Sequence, residues 1–280
     1  MLFSYDVAAM NSSDEKIHIY AWAERFLYLG PSTKTSSHRN HAATWLIACE
    51  GKLRVTLASG GVLEDQVIYL PSEIEYATDL ASSSIAALYW EPESTSFQHA
   101  MAHFENIPRA FACAQTYRDE LFKLCEFDTT RDQADKLLAC IFGFAKMRDD
   151  KPAYIDTRIN AALTFLRDSP QAYDSIESLS ARVHLSPSRF AHLFKKVVGV
   201  PVRRYVLWLK MRRALDLAIA GDSLTTAALS AGFSDAAHLR RSVRAMMGIA
   251  SEILLRQREP LVIHQQHEST SFATTGLGEV

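Results

Sequence analysis

Two stretches near the C-terminus place basic and polar side chains on the outward faces of short helices. The outward positions are Ser188, Arg189, His192, Lys195 and Lys196 in the first stretch, and His238, Arg240, Arg241 and Arg244 in the second. Arginine distinguishes guanine by a bidentate contact to O6 and N7. Contacts from lysine or arginine to phosphate position a protein on the duplex without specifying the sequence. These residue types therefore favour recognition of duplex DNA.

The charge of the chain is concentrated in the same region. The formal net charge is −2, with 30 Lys and Arg residues against 32 Asp and Glu residues. The segment from Arg182 to Arg244 contains 12 of the basic residues and 3 of the acidic residues, which gives it a charge of +9. The remainder carries −11. This division predicts one module that contacts a polyanion and another that does not, although a charge run can also be a solvated surface.

Turn and cap signals predict two helix-turn-helix units. In "SIESLSARVHLSPSRFAHLFKKVV" a turn at His184 precedes Ser186 and Pro187, which are typical of a helix start. In "SLTTAALSAGFSDAAHLRRSVRAMMG" Ser223 and Asp235 are predicted caps, and Gly232 supplies the turn. Each unit then ends in a helix with a basic outer face, the arrangement of a DNA-binding helix-turn-helix.

The segment between the two units, "PVRRYVLWLKMRRALDLAIAG", begins at Pro201 and ends at Gly221. A helix of about 20 residues is ~30 Å long. Half-sites one turn of B-DNA apart are separated by about 34 Å. The spacer is therefore long enough to hold two recognition helices about one DNA turn apart. Arg213 is expected to be buried along this helix.

The segment from Ser175 to Gly248 resembles the DNA-binding domain of the AraC/XylS transcription regulators. The resemblance rests on "LSPSRFAHLFKKVVG", "YVLWLKMRRAL" and "AGFSDAAHLRRSVRAMMG". The chain departs from the family pattern at His184, where glycine is usual, at Val243, where an aromatic residue is usual, and after Gly248, where a proline is missing. The resemblance implies a sequence-specific bacterial regulator that contacts duplex DNA and RNA polymerase, with activation and repression both open.

The outward residues divide into two expected roles on DNA. The first part of a recognition helix contacts base edges, which predicts base reading by Ser188, Arg189, His192, His238, Arg240 and Arg241. Contacts to phosphate are expected from Lys195, Lys196, Arg203, Arg204 and Arg244.

The first 95 or so residues predict strands. Short segments such as "KIHIYAWA", "TWLIACEGKLRVTLA" and "SIAALYWEP" are rich in β-branched and aromatic residues and are punctuated by turns. Regular short strands without intervening helices predict a β-sandwich or a small barrel. "HRNHAATWLIACEGKLRVTL", from His38, resembles the first half of a cupin, the sensor barrel that AraC-type regulators often carry. The expected fold is α+β with two domains, a cupin-like β-barrel with flanking helices and an all-α double helix-turn-helix. A small-molecule effector is expected in the barrel, and the candidate lining residues are Trp45, Tyr69, Tyr76 and Trp90, for each of which plain core packing is the competing interpretation.

A cupin-like metalloenzyme fused to a DNA-binding module is the alternative function. His38 and His41 are two possible metal ligands, whereas catalytic metal sites need three or four. Tyr76 lies where a third histidine is expected in a metal-using cupin. No GxSxG, GxGxxG or Walker-type motif is present. The expectation is therefore a non-enzyme without a metal or other cofactor.

Helical periodicity begins at about Phe97 and predicts amphipathic helices up to Met147, with Asp128 or Thr129 and Asp156 as caps. In the resembled family such helices often form a homodimer, and packing on the barrel is the competing interpretation. The expected domains are residues 1–150, which sense the ligand, and 151–263, which bind DNA. Residues 264–280 are predicted to form a disordered tail. The chain shows neither a signal peptide nor a membrane span, and the cytoplasm is the expected location.

Overall fold

The computed structural model describes residues 17–22, 24–32, 34–80, 84–101, 105–124, 130–141, 156–248 and 261–264. Its strands are β1 (Ile17–Ala21), β2 (Arg25–Pro31), β3 (His38–Arg39), β4 (Ala43–Ala48), β5 (Leu53–Leu57), β6 (Val62–Asp65), β7 (Val67–Leu70), β8 (Glu75–Leu80), β9 (Ser84–Trp90), β10 (Arg109–Phe111) and β11 (Leu261–His264). Its helices are α1 (Thr95–Ala100), α2 (Gln115–Lys123), α3 (Arg131–Ile141), α4 (Thr157–Asp168), α5 (Ile176–Arg182), α6 (Pro187–Val198), α7 (Val202–Ile219), α8 (Leu224–Ser230) and α9 (Ala236–Met247).

The N-terminal strands form two sheets, which fits the β-sandwich that the strand pattern leaves open beside a small barrel. The larger sheet has the order β10-β7-β4-β9-β2-β1-β11 and the smaller one β3-β8-β5-β6, within the described residues. The hairpin predicted at Ser59-Gly60-Gly61 joins β5 to β6 in antiparallel register. The strand-rich domain is confirmed, but the hydrogen-bonded ring of a barrel is not closed.

The larger sheet is the middle layer of the N-terminal domain. Its two central strands, β4 and β9, are apolar almost throughout because both faces are covered, and every residue of β4 is buried. One face packs on the smaller sheet around Leu46, Val55 and Ile68. The other face packs on α1, α2 and α3, with Trp45 and Leu88 in the shared core.

The helices predicted beyond Phe97 pack their apolar residues against this sheet. Leu121, Leu124 and Leu138 are fully or almost fully buried in the core that contains Trp45. Packing on the sheet is therefore the observed role of these three side chains. The cap of α3 is Thr130 instead of Asp128 or Thr129, which lie outside the described residues. The Thr130 backbone N–H donates to Gln133 Oε1 (2.8 Å), and the Gln133 N–H donates to Thr130 Oγ1 (3.4 Å), a reciprocal capping box.

The C-terminal domain is the helical unit α4 to α9, packed around one apolar core. Phe190, Phe194 and Tyr205 show no exposed surface, and Phe233 fills the space between α8 and α9 as predicted. Asp156 caps α4 by accepting the Arg158 N–H at 3.0 Å, as predicted. Arg213 is exposed on α7, so the expectation that it is buried is wrong.

Strand β11 lies in the larger sheet of the N-terminal domain, in parallel register with β1. The predicted DNA-binding domain, residues 151–263, includes residues 261–263 of this strand. Most of the predicted linker, 148–155, and the tail from 265 lie outside the described residues. Among the described helices, none is both long and apolar enough to cross a membrane.

Candidate nucleic-acid interface

The first candidate recognition helix, α6, begins at a tight turn built by local hydrogen bonds. His184 lies in the left-handed region with φ of 54°, where glycine is usual and histidine is tolerated. Ser186 Oγ accepts the backbone N–H of Arg189 at 3.4 Å, and Pro187 occupies the first helical position. The turn and the cap therefore start α6 where the sequence predicted.

The outward face of α6 is open to solvent. Phe190, Phe194 and Val198 bury the opposite face in the domain core. The predicted contact residues Ser188, Arg189, His192, Lys195 and Lys196 are all exposed. Helix α6 packs mainly on α4, α5 and α7 of its own domain. Its basic face is thus available to a duplex.

The second candidate recognition helix, α9, repeats this construction. Gly232, with φ of 86°, makes the turn after α8. Asp235 Oδ1 accepts the His238 backbone N–H at 2.7 Å. That hydrogen bond, helped by one from the Ser234 side chain, holds the pKa of the Asp235 carboxyl below its usual range. Leu239 and Val243 are fully buried, which fixes the helix against its domain.

The predicted contact residues of α9 lie on two faces. Arg240, Arg241 and Arg244 are exposed and His238 is half-buried. The ring of His238 packs edge-on against Phe233 at 5.1 Å between centroids. Successive residues of a helix are rotated by about 100°, so Arg240 and Arg244 share one stripe while His238 and Arg241 share another.

Helix α7 connects the two units and is the predicted spacer. Its 18 residues correspond to ~27 Å. Tyr205, Trp208 and Met211 bury one face of it. Arg203 is exposed, as a phosphate contact requires, whereas Arg204 is half-buried.

Arg204 is engaged with the N-terminal domain. Its Nε lies 2.9 Å from Glu73 Oε1, and its terminal nitrogen donates to the Arg39 carbonyl at 2.9 Å. Burial raises the pKa of Glu73, and the guanidinium of Arg204 opposes this shift. In this arrangement Arg204 links the two domains through Glu73 and Arg39, and its role as a phosphate contact stays a prediction.

A cleft of about 550 Å³ separates α9 from the smaller sheet. On the helical side it is lined by Arg204, Leu207, His238, Arg241, Ser242, Ala245 and Met246. On the sheet side it is lined by Ser37, His38, Arg39 and Glu75. Three arginines, two histidines and one carboxylate line this cleft around the apolar side chains of Leu207, Ala245 and Met246. Arg39 pairs with Glu75 at 2.8 Å and Arg204 with Glu73. The lining is basic overall, which suits an organic anion.

The four aromatic residues predicted to line a ligand pocket lie in two places. Trp45 packs against Tyr69 and Trp90 with ring centroids 4.6 and 6.0 Å apart, in the core beneath α1 to α3. Tyr76 belongs to the core between the sheets and packs on His38 at 4.3 Å. The structure brings three of the four together, with Tyr69 and Trp90 each packed against Trp45.

The two histidines weighed as metal ligands have different partners. His38 Nδ1 lies 2.8 Å from the Ser36 carbonyl, and His41 Nε2 lies 3.1 Å from Glu93 Oε2. Burial lowers the pKa of His38, although the Ser36 carbonyl opposes this shift. In the described part of the chain no three His, Cys, Asp or Glu side chains are arranged to hold a metal ion.

Sequence reasoning missed a buried charged cluster between the domains. Glu91 and Glu93 follow β9, and each exposes only 1% of its surface. Glu91 accepts hydrogen bonds from Trp208 Nε1 (3.2 Å) and from Arg212. Arg167 lies 3.5 Å from a carboxylate oxygen of each glutamate. One feature of the sequence could have indicated this cluster. Two glutamates spaced i, i+2 directly follow an apolar strand, a position unusual for exposed carboxylates.

Comparison with known proteins gives matches to a domain family and to whole-chain folds. A family described as "Helix-turn-helix domain" matches residues 179–256, which contain α6 to α9. The structure of ToxT from Vibrio cholerae O395 is 10% identical with a TM-score of 0.56, covering 83% of this chain and 98% of that one.

Two ligand-bound forms of ToxT are also similar. ToxT of Vibrio cholerae O395 bound to (E)-4-(8-methylnaphthalen-1-yl)but-3-enoic acid has a TM-score of 0.57 at 10% identity, with 82% of this chain and 98% of that one covered. Wild-type ToxT of strain SCE256 bound to an unsaturated fatty acid has a TM-score of 0.53 at 13% identity, with 88% and 97% covered. At these identities the likeness establishes the fold alone, a sheet-rich N-terminal domain followed by a helical domain.

Proposed function

We propose that this chain, an AraC-type DNA-binding transcription regulator, contacts duplex DNA through α6 and α9 and responds to a small-molecule effector. The observation that carries the proposal is the pair of capped helices with basic outer faces, α6 and α9, which both pack on α7. Base reading is assigned to Ser188, Arg189, His192, His238, Arg240 and Arg241. Phosphate contacts are assigned to Lys195, Lys196, Arg203 and Arg244, which are exposed.

Selection from a random pool of duplex DNA tests the proposal. The full-length chain is expected to enrich a site with two half-sites whose centres are about 10 base pairs apart, one turn of B-DNA. Arg189→Ala in α6 and Arg241→Ala in α9 are each expected to relax a different half-site. Enrichment of no sequence above the input pool would contradict the proposal.

The effector that we propose is an organic anion with an apolar body, bound in the cleft beside α9. The charge of the cleft, its apolar side chains and its volume support this class. The two ToxT ligands named in the comparisons are both carboxylic acids. The alternative location, among Trp45, Tyr69 and Trp90, is supported by aromatic character but is filled by the rings themselves.

Calorimetric titration with oleate, with its methyl ester as the uncharged control, tests this class. Oleate is expected to bind the wild-type chain and to lose affinity in Arg39→Ala, while the ester binds neither protein. Binding of both compounds with equal affinity would show that the carboxylate is not recognised. A site among Trp45, Tyr69 and Trp90 would leave the affinity of Arg39→Ala unchanged.

The proposed function is regulatory and not enzymatic. Metal analysis of the purified chain distinguishes it from the cupin-like metalloenzyme, which would hold stoichiometric iron, manganese or zinc. A contact with RNA polymerase and a homodimer through the helices between Phe97 and Met147 complete the proposal. Leu121, Leu124 and Leu138 already pack inside one chain, so a dimer would have to use other side chains of these helices. Sedimentation at several concentrations measures the oligomeric state.

A further inference from the structure

The two candidate recognition helices carry different residues at the same helical position. Arg189 is the third residue of α6, and His238 is the third residue of α9. Each donates its backbone N–H to the cap of its helix, Arg189 to Ser186 Oγ at 3.4 Å and His238 to Asp235 Oδ1 at 2.7 Å. The first part of a recognition helix contacts base edges. Arg189 and His238 therefore take equivalent places toward the two half-sites.

These two side chains offer different hydrogen-bonding groups to a base. A guanidinium group can only donate, which suits the O6 and N7 acceptors of guanine. A neutral imidazole has one nitrogen that donates and one that accepts. The base that a histidine can read therefore depends on which ring nitrogen carries the proton, and the hydrogen bond made by the other ring nitrogen decides this.

A chain of hydrogen bonds connects the ring of His238 to the cap of α9. Ser234 Oγ lies 3.3 Å from His238 Nδ1 and 2.9 Å from Asp235 Oδ2. Hydrogen bonds from the His238 backbone N–H and from the Ser234 side chain hold the pKa of the Asp235 carboxyl below its usual range. The carboxylate is therefore ionised near neutral pH and can only accept. We call these three side chains the Asp235–Ser234–His238 relay.

The direction of these bonds places the proton on the imidazole. A hydroxyl has one proton, and Ser234 donates it to the Asp235 carboxylate, which is the closer and the stronger acceptor. Ser234 Oγ can then only accept from the ring, so the proton lies on Nδ1 and Nε2 of the neutral ring is an acceptor. In the described part of the chain Nδ1 makes the one hydrogen bond of this ring, and the ring packs edge-on against Phe233. Nε2 is thus left for a ligand.

We propose that His238 reads a hydrogen-bond donor in the major groove, the N6 amino group of adenine or the N4 amino group of cytosine, through an Nε2 acceptor that Ser234 and Asp235 set. These two amino groups are the donors that base edges present in that groove. The proposal deepens the proposed function and rests on it, because it assumes that α9 contacts bases. Ser234 and Asp235 are positioning residues that act through His238. With Arg189 reading guanine at the equivalent place, the two half-sites differ at this position.

The position of the proton can be measured on the full-length chain without DNA. Long-range proton–nitrogen NMR spectra distinguish the two neutral tautomers at about pH 8, where an ordinary imidazole is neutral. The signals of His238 are assigned by their absence in His238→Gln. We expect the Nδ1–H pattern in the wild type and in the control Ser230→Ala, which removes an exposed hydroxyl of α8, and a mixture of tautomers in Ser234→Ala. A wild-type ring protonated on Nε2 would overturn the proposal.

Titrations on variants of a selected duplex test the reading of the base. The position that His238 reads is the one at which His238→Ala loses its preference. We expect adenine or cytosine there, and about fivefold weaker binding of the wild type when that base is replaced by its analogue without the amino group, the net effect of about one hydrogen bond. The analogue should leave the affinity of His238→Ala unchanged. Ser234→Ala should lose most of the preference, and Ser230→Ala should keep it.

His238→Arg gives α9 the residue that α6 has at this position, and its preference is expected to move to guanine because a guanidinium group only donates. A wild-type preference for guanine would overturn the proposal and leave the proposed function standing. A preference that Ser234→Ala keeps although its tautomer has changed would also overturn it, and would assign the reading to the Asp235 carboxylate. If no variant bound duplex DNA, the proposed function and the reading of a base would both fall, and the NMR comparison would still decide whether Ser234 sets the tautomer.

Discussion

At the scale of single residues, a base-reading side chain and a phosphate-contacting side chain are expected to respond differently when each is replaced by alanine. Arg189 stands exposed near the start of α6, and Lys195 stands exposed two turns later. We predict that Arg189→Ala costs about 1–3 kcal/mol on the selected site and relaxes preference at one base pair. Lys195→Ala should weaken all duplexes alike and lower the salt slope by about 1. Titrations on matched and mismatched duplexes at several salt concentrations measure both effects, and a uniform loss for Arg189→Ala would make it a phosphate contact.

His38 gives a residue-scale prediction for pH dependence. Burial lowers its pKa below 6.5 in the folded chain, while the unfolded chain keeps the ordinary value. The unfolded state therefore binds the proton first as the pH falls. The stability from neutral His38 is present above about pH 6.5 and is lost as the pH falls through the folded pKa.

Denaturant unfolding of wild type and His38→Phe at several pH values between about 7.5 and 5 checks this sign. The free energy of unfolding of the wild type should fall more steeply on acidification than that of His38→Phe. His192→Gln, at an exposed position of α6, is the control that should keep the wild-type slope. Parallel curves for all three proteins would contradict the assignment.

At the scale of elements, the turn before α6 carries strain that the turn before α9 avoids. His184 takes φ of 54° where Gly232 takes 86° at the matching turn. The left-handed conformation costs a residue with a side chain about 1–2 kcal/mol, and glycine costs about 0.5–1 kcal/mol in chain entropy. We predict that His184→Gly raises the free energy of unfolding by up to ~1 kcal/mol, while the β-branched His184→Val lowers it. Chemical denaturation measures both, and a stability loss in His184→Gly would show that the imidazole has a packing role.

The elements that the sequence predicted well are those fixed by nearby residues. A cap such as Asp235 and a turn such as Gly232 act within four residues, so their patterns in the chain sufficed to place α9. The predicted helix-turn-helix units were confirmed for the same reason, since their motifs lie on contiguous helices that a helix-turn-helix family model matches. The strands were also located, because alternation and turn residues are local signals.

The elements that were missed depend on contacts between distant parts of the chain. Whether strands form a sandwich or close into a barrel is decided by pairing at sheet edges, so the strand pattern left both open and the two sheets appear only in the structure. Strand β11 pairs with β1, more than 240 positions earlier in the chain. The pairing of Arg204 with Glu73 was missed because Arg204 lies on a basic helix, and only the tertiary fold brings Glu73 beside it.

At the scale of the whole molecule, the basic residues of the helical domain have two roles. Some form ion pairs with the acidic N-terminal domain, and others are proposed to contact DNA. Part of the +9 surplus pairs with Glu73, Glu91 and Glu93, so the basic domain is partly neutralised by its own N-terminal partner. Burial raises the pKa of Glu91, and the opposing effect of Arg212 is smaller. The cluster is thus held with a desolvation penalty that separation of the domains would relieve.

This balance predicts how the molecule responds when Arg212 is removed. Leaving a buried charge without its partner costs about 3–5 kcal/mol when the site stays closed. Separation of the domains would return Glu91 to water and avoid that cost. We predict that Arg212→Met lowers the free energy of unfolding by less than this range and splits the thermal transition, because each domain then unfolds by itself.

The double variant Arg212→Met with Glu91→Leu removes both charges and should restore a single transition, since an apolar replacement of a buried pair is often neutral. Calorimetry of the single and double variants, with Arg213→Met at the exposed neighbouring position as the control, measures the coupling. If Arg212→Met instead loses the full ~3–5 kcal/mol of unfolding free energy in a single transition, the domains stay joined when this pair is broken. The apolar contacts around Ala42 and Phe26 would then hold the interface.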